Sequence, residues 1–134
     1  MLFRSNVAFE NNHEGLRDQL MLELFYGTGI RLSELINLKE SRVNLKDRTL
    51  KVLGKRNKER VIPFTARLAN LIEHYIKARN CEVSKNEHGL LFVNKKGEAL
   101  YPMLVNRIVK KYLKAHTSVE KRSPHVLQIG RAHV

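Results

Sequence analysis

The sequence predicts a mostly α-helical fold with a small antiparallel β-sheet, an arrangement of the α+β class. Apolar residues recur with helical spacing in several separate segments, which is the main signal for amphipathic helices. Between these segments lie two β-like runs joined by a short polar loop, which is typical of a hairpin. The chain has 134 residues, 43% of them hydrophobic, which suits one domain with a buried core.

The first elements are two helices separated by a glycine-rich turn. Asn11-Asn12 can cap a helix over residues 14–26, because an Asn side chain accepts backbone N–H bonds at a helix start. The run "GTG" at 27–29 ends this helix, and residues 32–38 form a second, short one. The apolar stripe of the first helix consists of Leu16, Leu20, Met21, Leu24 and Phe25.

A β-hairpin is predicted next. The runs "TLKVL" at 49–53 and "RVIPF" at 60–64 have β-like composition, and the polar loop "GKRNKE" joins them. Pro63 cannot donate a backbone hydrogen bond, so the second strand is expected at an edge of the sheet or to end there.

The second half of the chain is predicted to be mainly helical. Residues 66–79 carry the clearest helical pattern, and a second apolar stripe predicts a helix that continues to about residue 115. Between them, "GLLFVNKKGEAL" predicts a short strand and a turn around Gly97. Ser123 followed by Pro124 predicts the start of a last helix.

The charge of the chain points to a polyanionic partner. Its formal net charge is +12, with 25 Lys and Arg against 13 Asp and Glu. The bases concentrate in residues 46–60 and 107–122, whereas residues 1–44 are nearly neutral. Two basic segments on a neutral background are typical of a nucleic-acid-binding face, although a solvated basic surface is the plain alternative.

Cysteine content and hydropathy favour a cytoplasmic protein. The single cysteine, Cys81, excludes a disulfide framework and has no Cys or His partner at zinc-ligand spacing, so it is expected to be an ordinary core or surface thiol. No apolar run reaches the length that spans a bilayer, and no signal-peptide core is found at the start. We therefore expect no membrane association and no metal.

Three stretches are not explained by packing. They are "GTGIRLSELINL" with Arg31, "VLGKRNKERVIPF" with Lys55, and "SPHVL" with His125. Taken singly, each has an ordinary structural explanation: an exposed arginine paired with Glu34 one helical turn on, a solvated loop lysine, and a surface histidine.

Taken together and in this order, the three stretches resemble the catalytic domain of the tyrosine recombinases, most closely the bacterial Xer type. The resemblance covers residues 14–127 and implies cleavage and joining of DNA through a covalent 3′-phosphotyrosine, with no metal or nucleotide cofactor. It also implies further recombinase protomers in a tetrameric synapse on double-stranded DNA, with roles such as chromosome segregation or DNA integration.

The resemblance also implies a role for each site residue. Without a metal, the protein must supply cations to the charged phosphate, and arginine offers two parallel bonds and a permanent charge. Arg31 is then a phosphate clamp oriented by Glu34, Lys55 is the general acid for the departing 5′ oxygen, and His125 assists at the phosphate. The basic segments supply the predicted DNA contacts, which are Arg56, Lys58, Arg60, Arg107, Lys110, Lys111 and Lys114.

The end of the chain departs from the family pattern. A second arginine is expected where Gln128 stands, and the tyrosine nucleophile should follow His125, whereas all four tyrosines precede it. Tyr75 and Tyr112 lie on apolar stripes and are expected in the core, and Tyr26 and Tyr101 are also expected to be structural.

We therefore expect no nucleophile in this chain and no activity from it as given. Residues 1–13 are expected to be the remnant of an interdomain linker and 14–127 a partial, truncated catalytic domain. Residues 128–134 are expected to be a non-native tail, because they back-translate into a run that resembles a sequencing-library adapter.

Two other functions fit parts of the pattern. A non-catalytic DNA-binding module or accessory factor would use Arg31 and Lys55 as phosphate contacts only. A basic RNA-binding protein would need aromatic stacking platforms, and the aromatic residues here lie mostly on apolar stripes.

Overall fold

The computed structural model describes residues 9–84, 86 and 88–120, with the backbone alone for 115–120. It confirms the predicted fold class, since helices dominate and the sheet is small and antiparallel. The elements are α1 (His13–Thr28), α2 (Leu32–Ile36), β1 (Val43–Asn44), β2 (Thr49–Leu53), β3 (Glu59–Pro63), α3 (Ala66–Glu82) and α4 (Pro102–Glu120).

Helix α1 is bounded by the residues that the sequence marks as its caps. The Asn12 side chain accepts a hydrogen bond from the Gly15 N–H at 2.8 Å, and Gly29 ends the helix in the left-handed conformation with φ 71°. Gly15 has no room for a side chain, because an added Cβ would lie 1.8 Å from the Glu10 carbonyl oxygen. At the other end of the helix, the left-handed Gly29 turns the chain from α1 directly towards α2.

The sheet consists of three antiparallel strands in the order β1-β2-β3. The predicted hairpin is confirmed, with Val52 opposite Arg60 and Leu50 opposite Ile62. Strand β3 lies at the edge and ends at Pro63, as expected for a residue that cannot donate to a neighbouring strand. One face of the hairpin packs on the core, since Leu50, Val52 and Ile62 are buried.

Helix α3 packs against α1 and runs further than predicted. Thr65 caps its start, where the hydroxyl accepts the Leu68 N–H at 3.2 Å, and the helix ends at Glu82 rather than at residue 79. The extra turn is held by long-range bonds, because the Glu82 carboxylate accepts from the backbone N–H of His13 at 2.9 Å and contacts its Nδ1 at 3.0 Å.

The last described helix, α4, also extends past its predicted end and packs against α2. Its buried residues carry the predicted stripe. They are Val105, Ile108, Val109 and Tyr112. Tyr75 and Tyr112 are buried in the core, as predicted, and Cys81 is exposed.

The predicted strand in "GLLFVNKKGEAL" is wrong. The segment forms only two isolated bridges, Leu90 with Lys39 and Val93 with Ala99, around the predicted turn at Gly97, where φ is 81°. Side chains compete for the strand's carbonyl groups, because the Tyr75 hydroxyl donates to the Leu91 oxygen at 2.7 Å and Arg79 donates to both Leu90 and Leu91.

None of the helices in the described part of the chain combines the length and the apolar content needed to cross a membrane. The helix predicted from Ser123, together with His125 and Gln128, lies outside the described residues.

Candidate active site

Arg31 is held at the surface by the turn between the first two helices. It is the N-cap residue of α2 in an extended conformation, with φ −86° and ψ 155°. Ile30, directly before Arg31, and Leu35, four residues after it, are fully buried, whereas Arg31 is exposed. The core therefore fixes the backbone on both sides and leaves the guanidinium directed to solvent.

Lys55 begins the turn that joins β2 to β3. The Gly54 N–H donates to the Lys58 oxygen at 2.8 Å, and the Lys58 N–H donates back to the Lys55 oxygen at 3.2 Å. Arg56 and Asn57 both have positive φ, 60° and 57°, which is the backbone of a tight type I′ hairpin turn. The closed turn holds Lys55 at the mouth of the hairpin with its side chain exposed.

Arg31 and Lys55 open onto the same cavity, which we call the cation cavity. Its volume is about 470 Å³ and it is open to solvent. The lining residues are Gly29, Arg31, Glu34, Gly54, Lys55, Lys58, Glu59 and Arg60.

Both carboxylates that line the cation cavity are already paired. Glu34 bonds Arg60 at 2.8 Å, and Glu59 bonds Arg42 at 2.8 Å. In the part of the chain that the structure describes, no ion pair involves Arg31, Lys55 or Lys58. The cavity therefore presents positive charge to solvent, and an anionic group such as a phosphate suits it.

Glu34 lies beneath the cation cavity with its side chain 1% exposed. Its carboxylate accepts the Arg31 backbone N–H at 2.9 Å and two bonds from Arg60, at 2.8 Å from Nη2 and 3.1 Å from Nε. Burial alone would raise the pKa of Glu34, but the bonds from Arg60 and Arg31 outweigh it and hold the pKa below its ordinary value. Glu34 thus touches Arg31 through the backbone, while its charge is matched by Arg60.

The pairing of Arg60 with Glu34 was missed by the sequence analysis, which counts Arg60 among the DNA contacts. The alternation of inward and outward side chains along β3 predicts this pairing. Arg60 is opposite Val52 and two residues from Ile62, both buried, so it points to the inner face of the hairpin. A charged residue at an inward position requires a partner, and the nearest acidic candidate in α2 is Glu34.

The other predicted DNA contacts lie in two places. Arg56 and Lys58 are exposed on the hairpin turn. On α4 the predicted contacts are all exposed and follow a helical spacing that places them on one face, opposite the buried stripe. They are Arg107, Lys110, Lys111 and Lys114.

Lys111 differs from the rest, because it lies beside carboxylates in a second cavity, which we call the acidic cavity. Its ammonium is 5.2 Å from the centre of the Tyr112 ring, and its charge acts on Asp18. The cavity has a volume of about 180 Å³. Its lining residues are Glu10, Glu14, Gly15, Arg17, Asp18, Lys111 and Tyr112.

The buried tyrosines are poorly suited to attack a phosphate. Burial raises the pKa of Tyr75 to about 12, and its hydroxyl is engaged with the Leu91 oxygen. Burial and the charge of Asp18 raise the pKa of Tyr112 to about 12. Tyr101 is 51% exposed at the start of α4. Within the described residues, no cluster of three or more His, Cys, Asp and Glu side chains could hold a metal ion.

Comparison with known proteins identifies relatives over nearly the whole chain. The family described as the phage integrase family matches residues 5–130. The tyrosine recombinase XerC of Chlorobaculum tepidum is 38% identical over 117 residues, which are 84% of this chain and 35% of the relative. The tyrosine recombinase XerC of Staphylococcus aureus is 37% identical over 123 residues, which are 89% of this chain and 40% of the relative. The chain thus spans well under half the length of these relatives.

Solved structures share the fold. The crystal structure of XerA recombinase superposes with a TM-score of 0.70 and 24% identity, covering 84% of this chain and 41% of that one. The XerH recombinase bound to a palindromic difH substrate in a post-cleavage complex gives a TM-score of 0.72 with 22% identity, covering 93% of this chain and 35% of that one. The family match and the XerC relatives together show that this chain belongs to the phage integrase family of tyrosine recombinases.

Proposed function

We propose that this chain is part of the catalytic domain of a site-specific DNA recombinase that cleaves and rejoins strands through a 3′-phosphotyrosine. The observation that carries the proposal is the cation cavity, onto which Arg31 and Lys55 both open. Family membership supplies the reaction class, and the cavity supplies two groups that this reaction needs without a metal.

Arg31 is the proposed phosphate clamp. In the cleavage step a tyrosine oxygen attacks phosphorus while the bond from phosphorus to the 5′ oxygen breaks, and negative charge builds on the non-bridging oxygens. The Arg31 guanidinium can donate two parallel bonds to these oxygens. Because the backbone of Arg31 lies between buried residues and is bonded to Glu34, the base of this side chain is held in place before the substrate binds.

Lys55 is the proposed general acid. The 5′ oxygen departs as an alkoxide and needs a proton, which the Lys55 ammonium can give. The rejoining step reverses this transfer, since the incoming 5′ hydroxyl must lose its proton as it attacks the phosphotyrosine.

Double-stranded DNA is the proposed partner, together with further recombinase protomers in a tetrameric synapse. The proposed path of the duplex backbone follows the cation cavity, the turn residues Arg56 and Lys58, and the exposed face of α4 with Arg107, Lys110 and Lys114. The XerH neighbour is a complex with its palindromic difH substrate, which supports this partner class. Lys111 is left out of the path because Asp18 and Glu14 line the same cavity.

His125 is the proposed third group at the phosphate.

The roles of Arg31 and Lys55 are separable by the leaving group. In the complete gene product, we expect Lys55→Ala to slow single-turnover cleavage by about 10²–10⁴-fold, the usual worth of general acid catalysis. A substrate with sulfur in place of the bridging 5′ oxygen releases a thiolate that needs no proton, so Lys55→Ala should recover most of its rate on it. Arg31→Ala should stay slow on both substrates, because the phosphate charge still needs its clamp.

The matched control is Lys77→Ala, which removes an exposed lysine from α3. It should leave cleavage of both substrates unchanged. Rescue of both site variants by sulfur, or of neither, would assign Lys55 to DNA contact alone and contradict the proposed mechanism.

A further inference from the structure

One buried carboxylate joins the two elements that carry the cations of the cavity. Glu34 accepts the Arg31 backbone N–H at the start of α2 and the Arg60 guanidinium from β3. It also packs against the end of β2, since a Cβ added to Gly54 would lie 3.4 Å from Glu34 Oε2. Gly54 precedes Lys55 directly, so the carboxylate contacts the chain beside each of the two cations.

Arg60 is the group that completes this connection. It donates from Nε and Nη2 to the two separate oxygens of Glu34, a forked geometry that fixes distance and angle together. Its strand position is fixed as well, because it pairs with Val52 in the hairpin ladder. Arg60 therefore transmits the placement of Glu34 to the hairpin that presents Lys55.

The other side chains near the hairpin do not offer this coupling. Arg42 bonds Glu59, but both side chains are about half exposed, and such pairs constrain little. The side chain of Arg60 is 44% exposed, whereas that of its partner Glu34 is 1% exposed. The Glu34–Arg60 pair is thus anchored at the buried end.

We propose that Arg60 is a positioning residue, which with Glu34 locks the Lys55 hairpin to the Arg31 turn so that both cations meet one phosphate. The inference rests on the proposed function of Arg31 and Lys55. It assigns to Arg60 a role different from the DNA contact that its charge alone suggests. Displacement of a catalytic group by about 1 Å can cost about 10²-fold in rate, so fixing the hairpin relative to the Arg31 turn protects the cleavage rate.

The decisive variant is Arg60→Lys, which keeps the charge and removes the fork. In the complete gene product we expect single-turnover cleavage to fall by about 10²-fold on both the oxygen and the sulfur substrate, since both cations lose their relative placement. Duplex affinity and its salt dependence should stay at the wild-type value, because the number of cations is unchanged. The control Arg42→Lys, which alters the exposed pair between Arg42 and Glu59 of β3, should cleave normally.

A second measurement on the 134-residue chain does not depend on activity. The Arg31 amide is hydrogen-bonded to Glu34, so Arg60→Lys should shift its NMR resonance and speed its hydrogen exchange, whereas Arg42→Lys should do neither. A normal cleavage rate in Arg60→Lys, or an unchanged Arg31 amide, would overturn the positioning role.

The outcomes also separate this inference from the proposed function. If Arg31→Ala and Lys55→Ala are defective and Arg60→Lys is normal, the positioning role fails and the proposed function stands. If the Arg31 and Lys55 variants cleave normally, the proposed function itself fails.

Discussion

Two carboxylates in this protein, Glu34 and Asp18, are both buried beside an arginine, yet their pKa values shift in opposite directions. The side chain of Glu34 is 1% exposed and that of Asp18 is 11% exposed. The pKa of Glu34 lies below its ordinary value, whereas burial raises the pKa of Asp18 in spite of Arg17 next to it.

Burial is the largest cause of the raised pKa of Asp18, and the groups around the two carboxylates also differ. Arg60 directs both of its bonds to Glu34, which also receives a backbone N–H. Arg17 bonds Asp18 at 2.8 Å, but it also donates to the Val93 oxygen at 3.2 Å and lies 3.9 Å from Glu14, whose charge raises the pKa of Asp18. Donors that bond one carboxylate alone thus help to hold its pKa below the ordinary value in spite of burial.

The two cavities differ in the same way. In the acidic cavity, two cations, Arg17 and Lys111, lie among three carboxylates, Glu10, Glu14 and Asp18, so the carboxylates offset the positive charge. In the cation cavity, Glu34 is paired with Arg60 and Glu59 with Arg42, whereas Arg31 and Lys55 face solvent. A cation whose charge is offset by neighbouring carboxylates attracts an anionic ligand only weakly, whereas a cation that faces solvent without such a partner can bind one.

The largest expected effect that separates the two carboxylates is on stability at neutral pH. Glu34→Gln removes the charge that Arg60 and the Arg31 N–H share, so we expect a loss of about 1–3 kcal/mol in the free energy of unfolding. Asp18→Asn should cost clearly less, because burial already disfavours its charged form. Urea unfolding of the two variants measures both, and equal losses would show that the contrast between the carboxylates has no energetic meaning.

The pH dependence of stability should sharpen the contrast. A lowered folded pKa means that the contribution of Glu34 is complete above its ordinary value of 4.5 and is lost as pH falls through the folded pKa. Asp18 has a raised folded pKa, so its contribution is greatest below its ordinary value of 3.8 and is lost as pH rises through the folded pKa.

Urea midpoints across the acid range test these signs. Relative to wild type, Glu34→Gln should lose least at the lowest pH and most near neutrality. The difference between Asp18→Asn and wild type should change in the opposite direction. Parallel curves for the two variants would contradict the assigned shifts.

The smallest expected effect compares the lysines of the two cavities in DNA binding. Each phosphate neutralised contributes about 0.9 to the slope of log affinity against log salt. Lys58→Ala should therefore flatten the slope by about 0.9. Lys111→Ala should leave it unchanged, because the Lys111 ammonium lies over the Tyr112 ring and its charge already acts on Asp18. Fluorescence anisotropy with a short duplex at several salt concentrations gives both slopes. An equal loss in the two variants would place Lys111 on the DNA path.

Much of the fold was predictable because its signals are local. The Asn12 cap, the Gly29 stop and the hairpin follow from residues close in sequence, and all three were found. The failures arose where distant groups decide the structure. The strand expected near Leu91 is missing because Tyr75 and Arg79 bond its carbonyls, and α3 runs on to Glu82 because His13 holds it.

In the candidate site, too, local signals were predictable and contacts between distant residues were not. The resemblance to tyrosine recombinases singled out Arg31 and Lys55, but no local pattern indicates that the two open onto one cavity. Counting charges assigned Arg60 to DNA, whereas the strand period directs it inward to Glu34. Charge identifies the kind of partner, and only the geometry distinguishes a cation that binds a ligand from one that supports another residue.

Every residue that lines the cation cavity lies between Gly29 and Arg60, one uninterrupted stretch of the chain. At the level of the gene, Arg31, Lys55 and the Glu34–Arg60 pair beneath them are therefore inherited together. A genetic exchange between relatives whose two breakpoints both lie outside residues 29–60 transfers all the residues of the cavity from one parent. An exchange with one end inside it can separate Glu34 from Arg60, and we expect hybrid genes to tolerate such a breakpoint least between these two codons.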